Sequence, residues 1–360
     1  MIDINTYRDR LRAAFLGRAA GCTLGAPVEG WTLDKIESYA GELGVGYPLL
    51  DYWPAIPNPD DKRYIYQTFK DYTKPFLRGI PCDDDIGYTL LSLFIMEEGN
   101  GRDFTLNDVK NAWLKYITEC YTAEWVALDN LKNGVPAEKA AEINNPYDEF
   151  IGADIRCDGY GYVSPGDPEK AAEMAGVDAY ISHRNNGIYG SRYFAAAIAE
   201  AFRLSDTKKC LVSALDFIPP DSELYKGLAW AIGIWDGAGD YKNAARLVDE
   251  RYPGMHTVHT INNACLTVFG LALGGKDIGR VIANCVAMAH DNDCTAATAG
   301  SIAGAAYGMA ALDEKWYLPF GDIVYSFFNG PRSYSINDIL KRFKLIAVKA
   351  GLVGGSGAQA

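Results

Sequence analysis

Three consecutive carboxylates, Asp83-Asp84-Asp85, follow Pro81-Cys82 and stand where a helical pattern begins. Side by side they repel one another and cost stability unless protons or cations offset the charge. A helix start favours negative charge by about 0.3–1 kcal/mol, so a capping run explains the triplet if it stands alone. A second acidic pair lies far downstream, in Ala289-His290-Asp291-Asn292-Asp293-Cys294. Asp291 and Asp293 precede a stretch of Ala, Gly, Ser and Thr that, as a helix, lets neighbours approach closely and can sit at the centre of a bundle. Carboxylates at its start are then buried, and unpaired buried charge is expensive. Divalent cations are the simplest compensation, and oxygen ligands favour Mg²⁺, Mn²⁺ or Ca²⁺ over zinc. Five carboxylates from two helix starts suit two such ions, which could clamp substrate oxygens and polarise a water. A capping aspartate beside a solvated neighbour is the bland alternative. A third segment, Phe15 to Gly30, is rich in Gly and Ala; Pro27 ends its helix and leaves Glu29 in a turn, facing a cleft or simply solvent.

The elements that must hold these groups read as helices. Apolar residues recur at steps of three and four over Thr6–Leu24, Asp85–Glu98, Asn107–Cys120, Pro168–Tyr180, Gly190–Leu204 and Ser222–Trp235. Further helices are expected at Tyr241–Arg251, Thr260–Leu273, Ile278–Ala289, Cys294–Leu312 and Ile336–Ala350. Strand alternation is almost absent, so the fold class is all-α. Thr105 with Asp108, and Asp167 before Pro168, are helix-start signals. Two long irregular stretches, Pro48–Pro81 and Ile143–Asp167, are rich in Tyr, Asp, Asn, Gly and Pro. Loops of that length are commonly functional, and the aromatics argue for order. With no linker or repeat, residues 1–350 read as one domain and 351–360 as a flexible tail.

Composition narrows the function. The chain has 360 residues, 49% hydrophobic, with a formal charge of -12. No basic cluster offers a nucleic-acid footprint. No apolar run reaches membrane-spanning length, and no secretory leader is apparent, so a cytoplasmic location is the default expectation. The eight cysteines lack CxxC spacing and read as small buried hydrophobes; a structural zinc site finds no ligand set.

At the three acidic segments the chain resembles the ADP-ribosylglycohydrolase family, which includes the dinitrogenase reductase-activating glycohydrolases and the ADP-ribosyl-arginine and ADP-ribosyl-serine hydrolases. The likeness runs from about Tyr7 to Gly308. It implies a compact orthogonal multi-helix bundle with two Mg²⁺ ions, Mn²⁺ being an alternative. By the family's Thr-Asp-Asp triplet, Asp83 stands at the Thr position and Asp84 and Asp85 at the ligand aspartates. Asp291 and Asp293 match the later ligand pair, and Cys294 takes the place of a Thr or Ser ligand. Glu29 matches the glutamate of Gly-x-Pro-x-Glu. The family's substrate loop falls on Phe150, Ile151, Gly152, Asp154 and Arg156, and its His-bearing segment on His183 to Tyr189. The usual Gly-Asp of the first motif is Gly21-Cys22 here, and Gly-Gly-Asp is Ala289-His290-Asp291, as in a distinct branch.

The resemblance implies metal-assisted hydrolysis at an anomeric carbon of a ribosylated small molecule or an ADP-ribosylated macromolecule. Glu29 or Asp84 would activate the water. Other readings of the same residues remain. Arg156 and Asp158 could simply pair at the surface, His183 could be a structural histidine, and Tyr160, Tyr162 and Tyr189 could pack locally rather than stack on a base. An HD-type phosphohydrolase would use His259, His290 and Asp291 with Asp313 or Asp322. A degenerate binder of ADP-ribose without turnover would explain Cys22, Asp83 and Cys294.

Overall fold

Glycines decide the centre of the molecule. In the computed structural model, which describes residues 1–354, the N-terminal helix Ile4–Gly25 lies against the helix Asn292–Tyr307 with no side chains between the two backbones. Gly17 meets Gly300, Gly21 meets Ala296, Gly25 meets Asp293 and Gly304 meets Ala13, so the pair runs antiparallel. A Cβ at any of the four would run into the facing backbone. The first helix is buried continuously from Ala13 and the second from Asn292 to Ala306, and the antiparallel register sets the end of the first beside the start of the second.

Around this axle the chain winds an all-helical bundle. The helices Thr260–Gly274 and Ile278–Ala287 pack on one side, and Pro168–Ala179 against Asn185–Ala201 on another. Buried apolar side chains from Ile4 to Val353 form one contiguous cluster. The eight cysteines are free and buried in it. Strand is confined, among the described residues, to short two-stranded ribbons: Ile2–Asp3 with Val353–Gly354, Lys62–Tyr64 with Gln67–Thr68, and Ile323–Tyr325 with Ser333–Ser335. No helix among the described residues is long and apolar enough to cross a membrane.

Most expected helices are present with small shifts at their ends. Thr105 accepts from the Asp108 backbone amide at 3.3 Å and closes a capping box. Asp167 caps the helix that Pro168 begins. Other details differ. The helix expected over Asn107–Cys120 stops at Tyr116, and a second one, Thr122–Lys132, follows a break at Ile117. The helices Leu33–Glu42 and Thr207–Ala214 are additional; each buries only a narrow apolar stripe, too short to stand out by periodicity. The second long stretch is not a loop throughout: Ile151–Arg156 is a 3-10 helix and Asp158–Tyr162 a short α-helix, all buried. Of the expected tail, Val353 is buried and paired with Ile2, and residues 355–360 lie outside the described residues.

Candidate active site

The axle delivers the two acidic segments to one place. Asp83 caps the helix Asp84–Glu98, its carboxylate accepting from the Asp85 amide at 3.2 Å. Asp291 begins the helix Asn292–Tyr307, and its amide donates to Asn263 Oδ1 at 3.2 Å. Cys294 Sγ donates to Asp85 Oδ2 at 3.3 Å, joining the two segments directly. Asp83, Asp85, Asp291 and Asp293 are all buried, and Asp84 is partly so. The turn before Asp291 is strained. Ala289 and His290 both hold positive φ, 62° and 60°, a conformation costing non-glycine residues about 1–3 kcal/mol each. His290 is fixed there by bonds from its ring to Asp249 at 2.9 Å and Asn262 at 3.4 Å.

Above the carboxylates opens a cleft of about 320 Å³. Glu29, Asp84, Asp291 and Cys294 reach it from the acidic floor, while Tyr64, Phe69 and Tyr121 give it an aromatic wall. Ile151, Gly152, Ile155 and Glu124 form the far side. Burial comes first in raising the Asp84, Asp85 and Asp293 carboxyls well above the usual range, and neighbouring carboxylates add to it. Asp291 is pushed up to about 7 by burial, then by the charge of Glu29. Burial likewise raises the Cys294 thiol well above its ordinary value, which keeps it protonated at neutral pH and a poor partner for a hard cation.

Cations already stand among these acids. Arg18 is completely buried and pairs with Asp85 at 3.1 Å and with Asp158 at 2.8 Å. Arg63 Nη2 lies 2.8 Å from Glu29, 2.9 Å from Asp83 and 3.0 Å from Asp293. Even so, Asp291 Oδ1 and Asp293 Oδ1 are buried with no hydrogen-bond partner. Carboxylate oxygens short of a donor fit a divalent cation. Asp291, Asp293 and Cys294 present ligand atoms within 4.8 Å of one another, as do Cys22, Asp83 and Asp85. The donor set therefore suits a hard cation near Asp291, whereas Arg63 crowds the side facing Glu29 and Asp83.

The residues expected to bind substrate divide into two groups. Ile151 and Gly152 line the cleft. Arg156, Asp154 and His183 are instead sealed behind it, at 1% exposure or less. Arg156 pairs with Glu124 and with Asp178, the latter at 2.9 Å, and donates to Ser182 Oγ at 3.0 Å. It thus forms no surface pair with Asp158, which belongs to Arg18. Asp154 accepts from the Thr260 hydroxyl, and His183 Nδ1 shares a hydrogen bond of 2.8 Å with Ser182. Phe150 stacks on His256 with centroids 4.7 Å apart, and Tyr189 packs against the core. Tyr160 and Tyr162 are core residues too. Asp313 and Asp322 cap turns elsewhere, so they do not complete an HD-type ligand set. Arg63, Tyr64, Phe69, Tyr121 and Glu124 carry no motif of their own; only the aromatic richness of the Pro48–Pro81 stretch points toward the first three.

A family model described as ADP-ribosylglycohydrolase matches residues 3–340. A solved structure entitled "ADP-ribosylglycohydrolase-related protein complex" is similar, with a TM-score of 0.64 and 18% identity over 97% of this chain and 100% of that one. At that identity the likeness speaks for the fold. No curated protein matches the sequence.

Proposed function

Because the chain belongs to the ADP-ribosylglycohydrolase family, a family of glycohydrolases acting on ADP-ribosylated substrates, we propose that it hydrolyses an N- or O-glycosidic bond at the anomeric carbon of an ADP-ribosyl or related ribosyl group, with Mg²⁺ or Mn²⁺. One observation supports this most. Two acidic segments more than 200 residues apart meet under a single cleft and leave buried carboxylate oxygens without partners.

In this reading Asp84, Asp85, Asp291 and Asp293 hold the cation. A divalent ion there supplies Lewis acidity toward sugar hydroxyls and a nearby water. The remaining work falls to the chain. Glu29, 41% exposed at the cleft edge, takes the proton of the attacking water, with Asp84 the other candidate for that role. The concentrated negative charge of the floor favours the oxocarbenium character that develops as the bond breaks. Tyr64, Phe69 and Tyr121 offer faces for a base or sugar. Lys62 at the rim suits a phosphate. The leaving group, from a small molecule or a macromolecule, points out of the cleft.

The test is a panel of N- and O-linked ADP-ribosyl compounds and simpler ribosides, given to EDTA-treated protein with and without added Mg²⁺ or Mn²⁺. Release of the free sugar should rise at least about 100-fold with metal. Full turnover in metal-free protein would remove the metal from the mechanism. A melting-temperature rise with ADP-ribose, but no hydrolysis across the panel, would make the chain a binder instead.

A further inference from the structure

We propose that Arg63 is a built-in cation. Its guanidinium takes the place of one of two ions that such a carboxylate set would otherwise hold, and the chain binds a single divalent ion on the Asp291 side. The inference rests on reading these carboxylates as a cation site, and it departs from the two ions expected from sequence.

Three observations carry it. The first is coordination. Arg63 Nη2 has two hydrogens but three carboxylate oxygens, from Glu29, Asp83 and Asp293, at 2.8–3.0 Å. Only Asp83 and Asp293 receive well-formed hydrogen bonds, at 2.9 and 3.0 Å; Glu29 is held by charge. A centre of positive charge surrounded in this way does electrostatically what a metal ion does, though it donates hydrogens and offers no open coordination position.

The second observation is that Arg63 is caged. Its guanidinium carbon lies 5.7 Å from the ring centre of Tyr64, 5.8 Å from Phe69 and 5.4 Å from Tyr72, inside cation–π range on its other sides. The ribbon that carries it is fastened to the acidic helix start. The Asp84 amide donates to the Tyr64 hydroxyl at 3.0 Å, the Cys82 amide to Gln67 Oε1, and the Tyr72 hydroxyl to the Cys82 carbonyl. Its side chain is 10% exposed. An arginine so enclosed is a fixed part of the floor, and withdrawing it would strip three carboxylates of their counter-charge while exposing the rings.

The third is what Arg63 leaves undone. Asp293 uses Oδ2 on Arg63, yet its Oδ1 and Asp291 Oδ1 stay buried without partners. They lie beside Cys294, whose thiol already touches Asp85. Among the five acids of the two segments, the buried oxygens left without a partner are those of Asp291 and Asp293, which points to one ion on that side while Arg63 fills the other.

The experiment counts ions without needing turnover. Mn²⁺ is titrated calorimetrically into EDTA-treated wild-type chain, and a Mn²⁺-soaked crystal is searched for anomalous peaks. One equivalent and one peak near Asp291 are expected. Arg63→Met, checked for its fold by circular dichroism, should take up a second Mn²⁺; Arg63→Lys should remain at one. Two ions in the wild type would overturn the proposal while leaving the hydrolase reading standing. A failure of Arg63→Met to gain a site would overturn it as well. No Mn²⁺ at all would end both the proposal and the metal-dependent part of the proposed function, whereas the panel assay would still report on hydrolysis.

Discussion

Arg63 and Arg156 both stand among carboxylates, the first at the edge of the cleft and the second sealed behind it, and their surroundings differ in kind. Arg156 spreads its donors over Glu124, Asp178, Ser182 and a backbone carbonyl, a hydrogen-bonded set sealed from solvent that leaves Asp178 Oδ1 over. Arg63 sets a single nitrogen, Nη2, against three carboxylates, and two further buried oxygens, on Asp291 and Asp293, stay without partners. A sealed arginine with its donors spread fixes structure; one crowded by acids at a cleft leaves carboxylate oxygens for a ligand. The contrast sorts the interior into a scaffold behind the cleft, which holds Glu124 in the wall, and a charged floor under it with carboxylate oxygens left unpaired.

The largest effect should come from the scaffold. Arg156→Gln leaves Glu124 and Asp178 buried without a counter-charge and is expected to cost about 3–5 kcal/mol in urea unfolding. A loss below about 1 kcal/mol would mean the pair is not structural. The floor should respond in the opposite sense. Asp291→Asn removes a carboxyl that burial and Glu29 push up to about 7, so the folded metal-free protein holds that proton more tightly than the unfolded chain does. Its stability should therefore fall as pH rises from 3.8 toward about 7. In Asp291→Asn that slope should flatten and metal-free melting should not decline, while turnover drops about 100-fold, or about 2.7 kcal/mol. Unchanged turnover would take Asp291 out of the site.

The helices and the acidic segments were legible in the sequence, the two arginines were not, and the difference has a clear cause. The carboxylates at 83–85 and 291–293 stand out because adjacent charges before a small-residue helix have few purely structural explanations. The helices stand out because their apolar faces repeat. Arg63 does not, since a single arginine in a long stretch gives no period and no motif, and its importance comes from chain neighbours that only folding supplies. Arg156 and His183 illustrate the reverse. Family-like segments placed them at the ligand, whereas Arg156 ends a buried helical turn, Ile151–Arg156, and His183 sits in the buried turn between Pro168–Ala179 and Asn185–Ala201, both behind the wall. Polar residues buried in pairs look, in sequence, like polar residues in a cleft.

The smallest effect belongs to His183. Burial, then the nearby Arg156 charge, lowers its pKa well below 6.5, so it is neutral in the folded state. A depressed value contributes stability that is fully present above 6.5 and is lost as pH falls toward the folded value. His183→Gln should soften the acid limb of the melting-temperature profile without altering Mn²⁺ stoichiometry. A shift in ion binding would link scaffold and floor more closely than their geometry suggests.

The glycine-to-glycine contact between the first helix and Asn292–Tyr307 also dictates when the acidic floor can exist. On the ribosome the first helix emerges before the surface meant to cover it, which begins 267 positions after its last residue, from Gly25 to Asn292. Until then its exposed small-residue face has nothing to rest on, and the acids at 83–85 lack their opposite number. Closing so long a span is slow and leaves intermediates prone to association. A truncation anywhere short of Tyr307 would remove not a peripheral helix but the keel of the molecule.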